Sequence, residues 1–101
     1  MVVEKMPELK GGMSGLMSDI TYPEEARKAG IEGRVLVQFI VNEDGQVENP
    51  QIIKGIGGGA DEEALRVVKN AEFVPGQQRG QAVRVQYSLP VIFKLQKDDS
   101  N

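Results

Sequence analysis

Apolar side chains occupy every odd position of residues 83–95, while most of the even positions are polar. Strict alternation predicts a β-strand, because successive side chains on a strand point to opposite faces of the sheet. At about 3.3 Å per residue this strand would extend roughly 40 Å, about twice the usual length. Pro90 lies near its middle and has no backbone N–H, so we expect this strand at the edge of a sheet.

A hairpin is predicted in the middle of the chain. The alternating residues 35–41 are followed by Asn42-Glu43-Asp44-Gly45 and by a second apolar run, residues 47–56. Asp-Gly between two such segments indicates a tight turn that makes the strands antiparallel neighbours. Pro50 and a change of phase favour a bulge or an outer position for the second strand. The last strand cannot enter between these two, so it must lie beside one of them with its other side free.

Two helices are expected to accompany these strands. Pro23 and the glutamates after it suit the first turn of a helix over residues 23–29, and Gly30 suits its end. After three consecutive glycines, Asp61 is expected to cap a second helix with an apolar stripe. A shorter helical stretch is indicated at residues 13–20, and residues 77–81 are predicted to form a polar, mobile connection. The predicted fold class is therefore α+β, with two helices packed on one face of a three-stranded antiparallel sheet.

Length and composition fit one small soluble domain. We divide the 101 residues into a lead-in at residues 1–10, the domain at 11–96 and a polar tail at 97–101. The net charge of −3 argues against nucleic-acid binding, which needs a basic face. The chain has no cysteine and no histidine, so it has no disulfide framework and lacks the commonest metal ligand and general base. No apolar run approaches the ~20 residues of a membrane span, and residues 1–10 lack a signal-peptide core.

Enzymatic interpretations find little support in the sequence. Gly55-x-Gly57-x-x-Ala60 is superficially like a dinucleotide-binding loop, but no acidic residue follows at the required spacing of about 20 positions. The carboxylate clusters Glu24-Glu25 and Asp61-Glu62-Glu63 both stand at predicted helix starts, where capping explains them. We therefore expect a domain without catalysis, cofactor or metal.

The predicted edge strand can be placed more closely. A strand residue points its N–H and C=O to one lateral side, and neighbouring residues alternate sides. Because Pro90 cannot donate, its side should be the unpaired one, and it shares that side with Arg84, Gln86, Ser88, Ile92 and Lys94. Two interpretations stay open at this point. The proline and the charges merely blunt the edge against aggregation, or the edge binds a partner by strand addition.

A set of short motifs, in order and spacing, resembles the C-terminal domain of TonB-family energy transducers over residues 7–96. The motifs are Pro7-Glu8-Leu9-Lys10-Gly11-Gly12, Tyr22-Pro23-x-x-Ala26, Gly30, Gly33-x-Val35-x-Val37-x-Phe39-x-Val41, Asp44-Gly45-x-Val47, Asp61-x-x-Ala64, Phe73-x-Pro75-Gly76, Gly80 and Pro90-Val91-x-Phe93-x-Leu95.

The resemblance implies a periplasmic domain of an inner-membrane-anchored protein, with the anchor outside this chain. It implies that the domain binds the N-terminal box peptide of an outer-membrane TonB-dependent transporter as an added strand. Inner-membrane motor proteins would act through a segment absent from this chain. By position, the resemblance implies that the peptide pairs with residues 86–94 and makes further contacts in the Tyr22-Pro23 region, and the edge argument adds Arg84. The predicted partner-binding residues are therefore Tyr22, Pro23, Arg84, Gln86, Tyr87, Ser88, Leu89, Pro90, Val91, Ile92, Phe93 and Lys94.

A second function is kept beside energy transduction. Domains similar to this one also occur as fusions to sensor or peptidase proteins. There they act as scaffolds, or pair edge to edge as homodimers. The last strand is the surface in question in both cases, because a homodimer that uses it leaves no room for a transporter peptide.

Overall fold

The computed structural model describes residues 3–95. The chain forms three helices and seven strands in this part. In chain order they are β1 (Glu8–Leu9), α1 (Gly12–Ser18), α2 (Glu24–Ala29), β2 (Gly33–Val41), β3 (Val47–Lys54), α3 (Ala60–Lys69), β4 (Phe73–Val74), β5 (Gly76–Gln78), β6 (Gln81–Val83) and β7 (Val85–Phe93).

The main sheet is antiparallel, with the strand order β3-β2-β7. The tight turn between β2 and β3 confirms the predicted hairpin. Asn42 closes it, because its side-chain oxygen accepts the N–H groups of Asp44 and Gln46, both at 2.9 Å. The β2–β3 register shifts at two places, and Asn49 before Pro50 has a positive φ of 55°. The predicted bulge in the second strand is therefore confirmed.

The last strand lies beside β2, at the edge of the sheet. The two strands pair over nine residues without a shift, from Gly33 opposite Phe93 to Val41 opposite Val85. The long alternating stretch is therefore a strand over most of its length. It is interrupted at Arg84, which separates β6 from β7 and belongs to neither.

The core lies between the helices and one face of the sheet, as predicted. Odd residues of β2 and β7 enter it together with Leu16 of α1, Phe73, and the small apolar residues of α3. The fold class is confirmed, and α1 adds a third helix to the two that define it. The most deeply buried large side chains are Phe39, Phe73, Phe93, Val35, Val37, Val41, Val68 and Val91.

Two local predictions were wrong. Residues 77–81 are not a mobile connection but most of a second hairpin, β5–β6, whose turn residues Arg79 and Gly80 both have positive φ. Asp61 does not cap α3, which begins at Ala60 after Gly59 in the left-handed conformation. Its carboxylate instead accepts the N–H of Ile56 at 2.8 Å, so it orders the turn that precedes the helix.

The leading residues pair with β4 and β5 rather than with β7. β1 pairs with β4, and Lys5 pairs with Gln77 of β5. The predicted polar tail at 97–101 lies outside the described residues. None of the helices in residues 3–95 has the length and hydropathy needed to cross a membrane.

Candidate strand-addition site on β7

The outer edge of β7 carries unpaired backbone groups. Leu36 lies opposite Pro90, and this pair cannot exchange two N–H···O bonds because Pro90 has no N–H. Bonded and non-bonded pairs alternate along an antiparallel ladder, so Gln86, Ser88 and Ile92 also point their N–H and C=O groups away from β2. No further strand lies beside β7 within residues 3–95. We call the outward groups of these four residues of β7 the outer row.

The side chains of β7 divide between two faces. Leu89, Val91 and Phe93 are at most 6% exposed and lie in the core, and Tyr87 is half-buried. These residues hold the strand in place, and their backbone groups pair with β2. The side chains on the other face are exposed or, at Pro90, half-buried; they are Gln86, Ser88, Pro90 and Ile92.

Tyr22 lies next to the C-terminal end of β7. Its ring stands edge-on to Phe93, with 5.6 Å between the ring centroids and 87° between the planes. Its hydroxyl donates a hydrogen bond to the carbonyl oxygen of Ile31. Burial raises the pKa of the Tyr22 phenol, and the nearby Glu32 carboxylate adds to this rise. The neutral hydroxyl is therefore favoured in the folded domain.

Pro23 is directed elsewhere. It precedes the first turn of α2, and its ring packs on the loop before α3, where a Cβ on Gly59 would come within 3.2 Å of the proline Cβ. The structure therefore places the Tyr22 side chain at the edge strand, while Pro23 fixes the turn behind it.

A groove of about 800 Å³ opens beside the end of β7. Most of its lining side chains are apolar, and two are cationic, those of Arg27 and Lys94. Met17, Ile20, Arg27 and Leu95 were not among the predicted partner-binding residues. The shared helix face of Met17 and Ile20 was a usable signal, whereas nothing in the sequence connects Arg27 to β7. The described lining residues are Met17, Ile20, Tyr22, Arg27, Ile92, Phe93, Lys94 and Leu95.

An ion pair on α3 fixes the segment that leads to Tyr22. The Glu63 carboxylate accepts the Thr21 N–H at 2.7 Å, and the Arg66 guanidinium donates to the Asp19 carbonyl at 2.9 Å. Glu63 and Arg66 also pair with each other at 2.6 Å. The hydrogen bond from Arg66 holds the pKa of Glu63 below its usual range, and the Thr21 N–H contributes in the same direction, against the effect of burial.

Arg84 already has a partner within the chain. Its guanidinium donates to Glu48 of β3 at 2.7 Å, and Glu48 also accepts the side-chain amide of Asn42 at 2.8 Å. The hydrogen bond from Arg84 is the main reason that the pKa of Glu48 is lowered. Arg84 is thus held on the open face of the sheet at the start of β7, far from Lys94 at the opposite end.

Comparison with known proteins assigns the chain to a family. Residues 18–95 match the family described as Gram-negative bacterial TonB protein C-terminal. The chain belongs to this family. The chain is 30% identical over 82 residues to the TonB protein of Pseudomonas aeruginosa and 34% identical over 76 residues to that of Vibrio cholerae. These matches cover 80% and 74% of the chain.

The fold is also that of a TonB C-terminal domain. The solution structure of the Helicobacter pylori TonB C-terminal domain superposes with a TM-score of 0.66 at 29% identity, covering 85% of this chain and 91% of that one. The family resemblance inferred from the sequence motifs is thus confirmed. The chain spans only 24% and 31% of the two curated TonB proteins. In residues 3–95 no group of three or more acidic, cysteine or histidine side chains is arranged to hold a metal ion.

Proposed function

We propose that this domain binds the N-terminal box peptide of an outer-membrane TonB-dependent transporter as an additional strand on β7. In this way it couples energy from the inner membrane to transport across the outer membrane. The observation that carries the proposal is the unpaired outer row beside an apolar groove. Strand addition uses both features, because main-chain bonds supply affinity and alternate side-chain pockets supply selectivity.

The predicted residues take different roles in such a complex. Gln86, Ser88 and Ile92 provide N–H and C=O groups, and Pro90 provides only its C=O. Tyr22, Phe93 and Lys94 line the groove, which would receive a peptide side chain. Arg84 and Pro23 would have supporting roles, since the first binds Glu48 and the second packs at Gly59. Tyr87, Leu89 and Val91 would act indirectly, because their buried or half-buried side chains hold β7 in place.

The sheet is suited to transmitting force. β7 pairs with β2 over nine consecutive residues, and antiparallel hydrogen bonds lie perpendicular to the strands. A pull along an added strand would therefore load many bonds at once rather than peel them apart singly. No catalytic step, cofactor or metal is part of the proposal.

The proposed location and further partners are supported by membership of the TonB family. We place the domain in the periplasm, as part of an inner-membrane-anchored protein. We assign the anchor and the contact with inner-membrane motor proteins to parts of TonB proteins that lie outside the matched segment.

Ser88→Pro tests the proposal, because it removes one outward N–H and leaves the inward bonds of β7 intact. We expect titration of a labelled transporter box peptide to show about tenfold or greater weakening, from the lost bond and the proline ring at the contact. Ser88→Ala retains the N–H and is the matched control. Equal peptide affinities for Ser88→Pro, Ser88→Ala and the wild type would refute strand addition. Leu89→Pro is unsuitable, because the Leu89 N–H faces β2.

The alternative, a scaffold that dimerises edge to edge, uses the same outer row. Sedimentation of the free domain separates the two functions. We expect a monomer at the micromolar concentrations of the titration. A tight dimer that Ser88→Pro dissociates, together with no peptide binding, would establish the scaffold function instead.

A further inference from the structure

The β5–β6 hairpin has a free edge of its own. Gln77 of β5 uses both backbone groups on Lys5: its N–H donates to the Lys5 carbonyl at 2.9 Å, and its carbonyl accepts the Lys5 N–H at 3.1 Å. Gln77 also lies opposite Ala82 of β6. Because its backbone is committed to Lys5, the pair with Ala82 is of the non-hydrogen-bonded type. The N–H and C=O of Ala82 therefore point away from β5.

This free edge continues the free edge of β7, because the outward-pointing residues of both strands fall on the same alternation. Ala82, Arg84 and Gln86 are separated by two residues each, which is the period of one lateral side of a strand. Arg84 makes no backbone hydrogen bond to another described residue. The inward residues on either side of it also agree, since Val83 lies opposite Gly76 and Val85 lies opposite Val41. From Ala82 to Ile92 the outward groups span roughly 35 Å.

We propose that the transporter peptide pairs with this whole edge, from β7 across Arg84 onto β6. This inference rests on the proposed function and specifies its partner as an extended segment of about eleven residues rather than one that covers β7 alone. The reason is the proline. Within β7 only Gln86, Ser88 and Ile92 donate outward N–H groups, and the extension adds the N–H and C=O groups of Ala82 and Arg84.

Peptides of different length provide the first test. A box peptide of about eight residues is compared with two longer peptides, which add four native residues at one end or at the other. We expect one of the longer peptides to bind wild-type domain about tenfold or more tightly than the short one, because it adds up to four hydrogen bonds. The end at which extension succeeds also reports the direction of the added strand. Equal affinity of all three would overturn the extension onto β6.

Ala82→Pro provides the second test, because it removes the outward N–H without touching a bond between β5 and β6. We expect it to weaken the long peptide about threefold to tenfold and to leave the short peptide unaffected. Ala82→Ser keeps the N–H and is the control. If the short peptide fails to bind wild-type domain, the proposed function itself fails. If it binds, and neither added length nor Ala82→Pro changes affinity, only the extension is refuted.

Amide hydrogen exchange on the wild-type domain makes the test independent of any variant. The long peptide should slow exchange at Ala82 and Arg84, and the short peptide should not. Unchanged exchange at both amides under saturating long peptide would contradict the proposal even if Ala82→Pro does not fold.

Discussion

Leu36 of β2 lies directly opposite Pro90 of β7, in a pair that has only one N–H between its two residues. This contact fixes the lateral phase of the whole edge strand, because bonded and non-bonded pairs alternate in both directions from it. The proline is therefore compatible with the β2–β7 ladder. On the outer side it leaves a gap among the donors available to a partner.

Pro90→Ala should fill that gap. The new N–H points outward, so we expect box-peptide affinity to rise about two- to tenfold, the value of one added hydrogen bond. The free energy of unfolding should fall by about 0.5–1 kcal/mol, because proline restricts the unfolded chain. Calorimetric titration and urea unfolding measure the two effects. A loss of affinity in a folded Pro90→Ala domain would contradict the assigned phase of β7.

Gly45→Ala should be strongly destabilising. Gly45 has a φ of +81°, its carbonyl accepts the Phe73 N–H at 2.9 Å, and a Cβ would lie 1.9 Å from the Phe73 carbonyl oxygen. We expect a loss of about 3 kcal/mol or more in urea unfolding, from backbone strain and the clash together. Gly80→Ala is the control, since Gly80 has a similar φ of +75° but open space around it. Equal losses for both variants would show that the Phe73 contact is unimportant.

Glu63→Gln should change the acid dependence of stability. The folded-state pKa of Glu63 is lowered, so its carboxylate stabilises the fold above the unfolded pKa of about 4.3. That contribution is lost as the pH falls through the folded pKa. We expect Glu63→Gln to be less stable than wild type at pH 7 and to lose less stability between pH 5 and pH 3. Glu62→Gln, at an exposed position of α3, should follow wild type in urea unfolding.

The same ion pair positions Tyr22 through the Thr21 and Asp19 backbone. Glu63→Gln should therefore also weaken box-peptide binding at pH 7, by less than Ser88→Pro does. Wild-type affinity in this variant would mean that the groove does not depend on the ion pair between Glu63 and Arg66.

Tyr22→Phe should change how the free energy of unfolding depends on pH in the alkaline range. The raised pKa of Tyr22 means that the neutral phenol stabilises the fold below the unfolded pKa of about 10, and that this is lost as the pH rises through the folded pKa. Tyr22→Phe should cost about 1 kcal/mol at pH 7, since the hydrogen bond to Ile31 is lost. Its unfolding free energy should then decline less steeply above pH 10. A slope equal to that of wild type would assign the alkaline loss to other groups.

The sequence allowed the edge strand to be predicted because two local signals agree there, the alternation of residues 83–95 and the absence of a donor at Pro90. The hairpin at Asp44-Gly45 was equally local. The turn at Arg79-Gly80 was missed because it needs a positive φ at an arginine, which the sequence does not signal. Asp61 was predicted to cap α3. The helix instead begins at Ala60, after Gly59, so Asp61 lies inside its first turn.

The groove was harder to predict from the sequence. It joins α1, the loop before α2, α2 itself and the end of β7, so its members are distant along the chain. Ile20 and Arg27 become neighbours of Phe93 only after the helices pack on the sheet. Long-range proximity of this kind leaves no periodic pattern in any one segment.

Residue-resolved amide exchange across β7, with and without a saturating box peptide, tests the central claim most directly. In the free domain we predict slow exchange at Tyr87, Leu89 and Val91, whose N–H groups face β2, and fast exchange at Ser88 and Ile92. The peptide should then slow exchange at Ser88 and Ile92. Protection of these two amides in the free monomer, or fast exchange that persists under saturating peptide, would contradict strand addition on this edge.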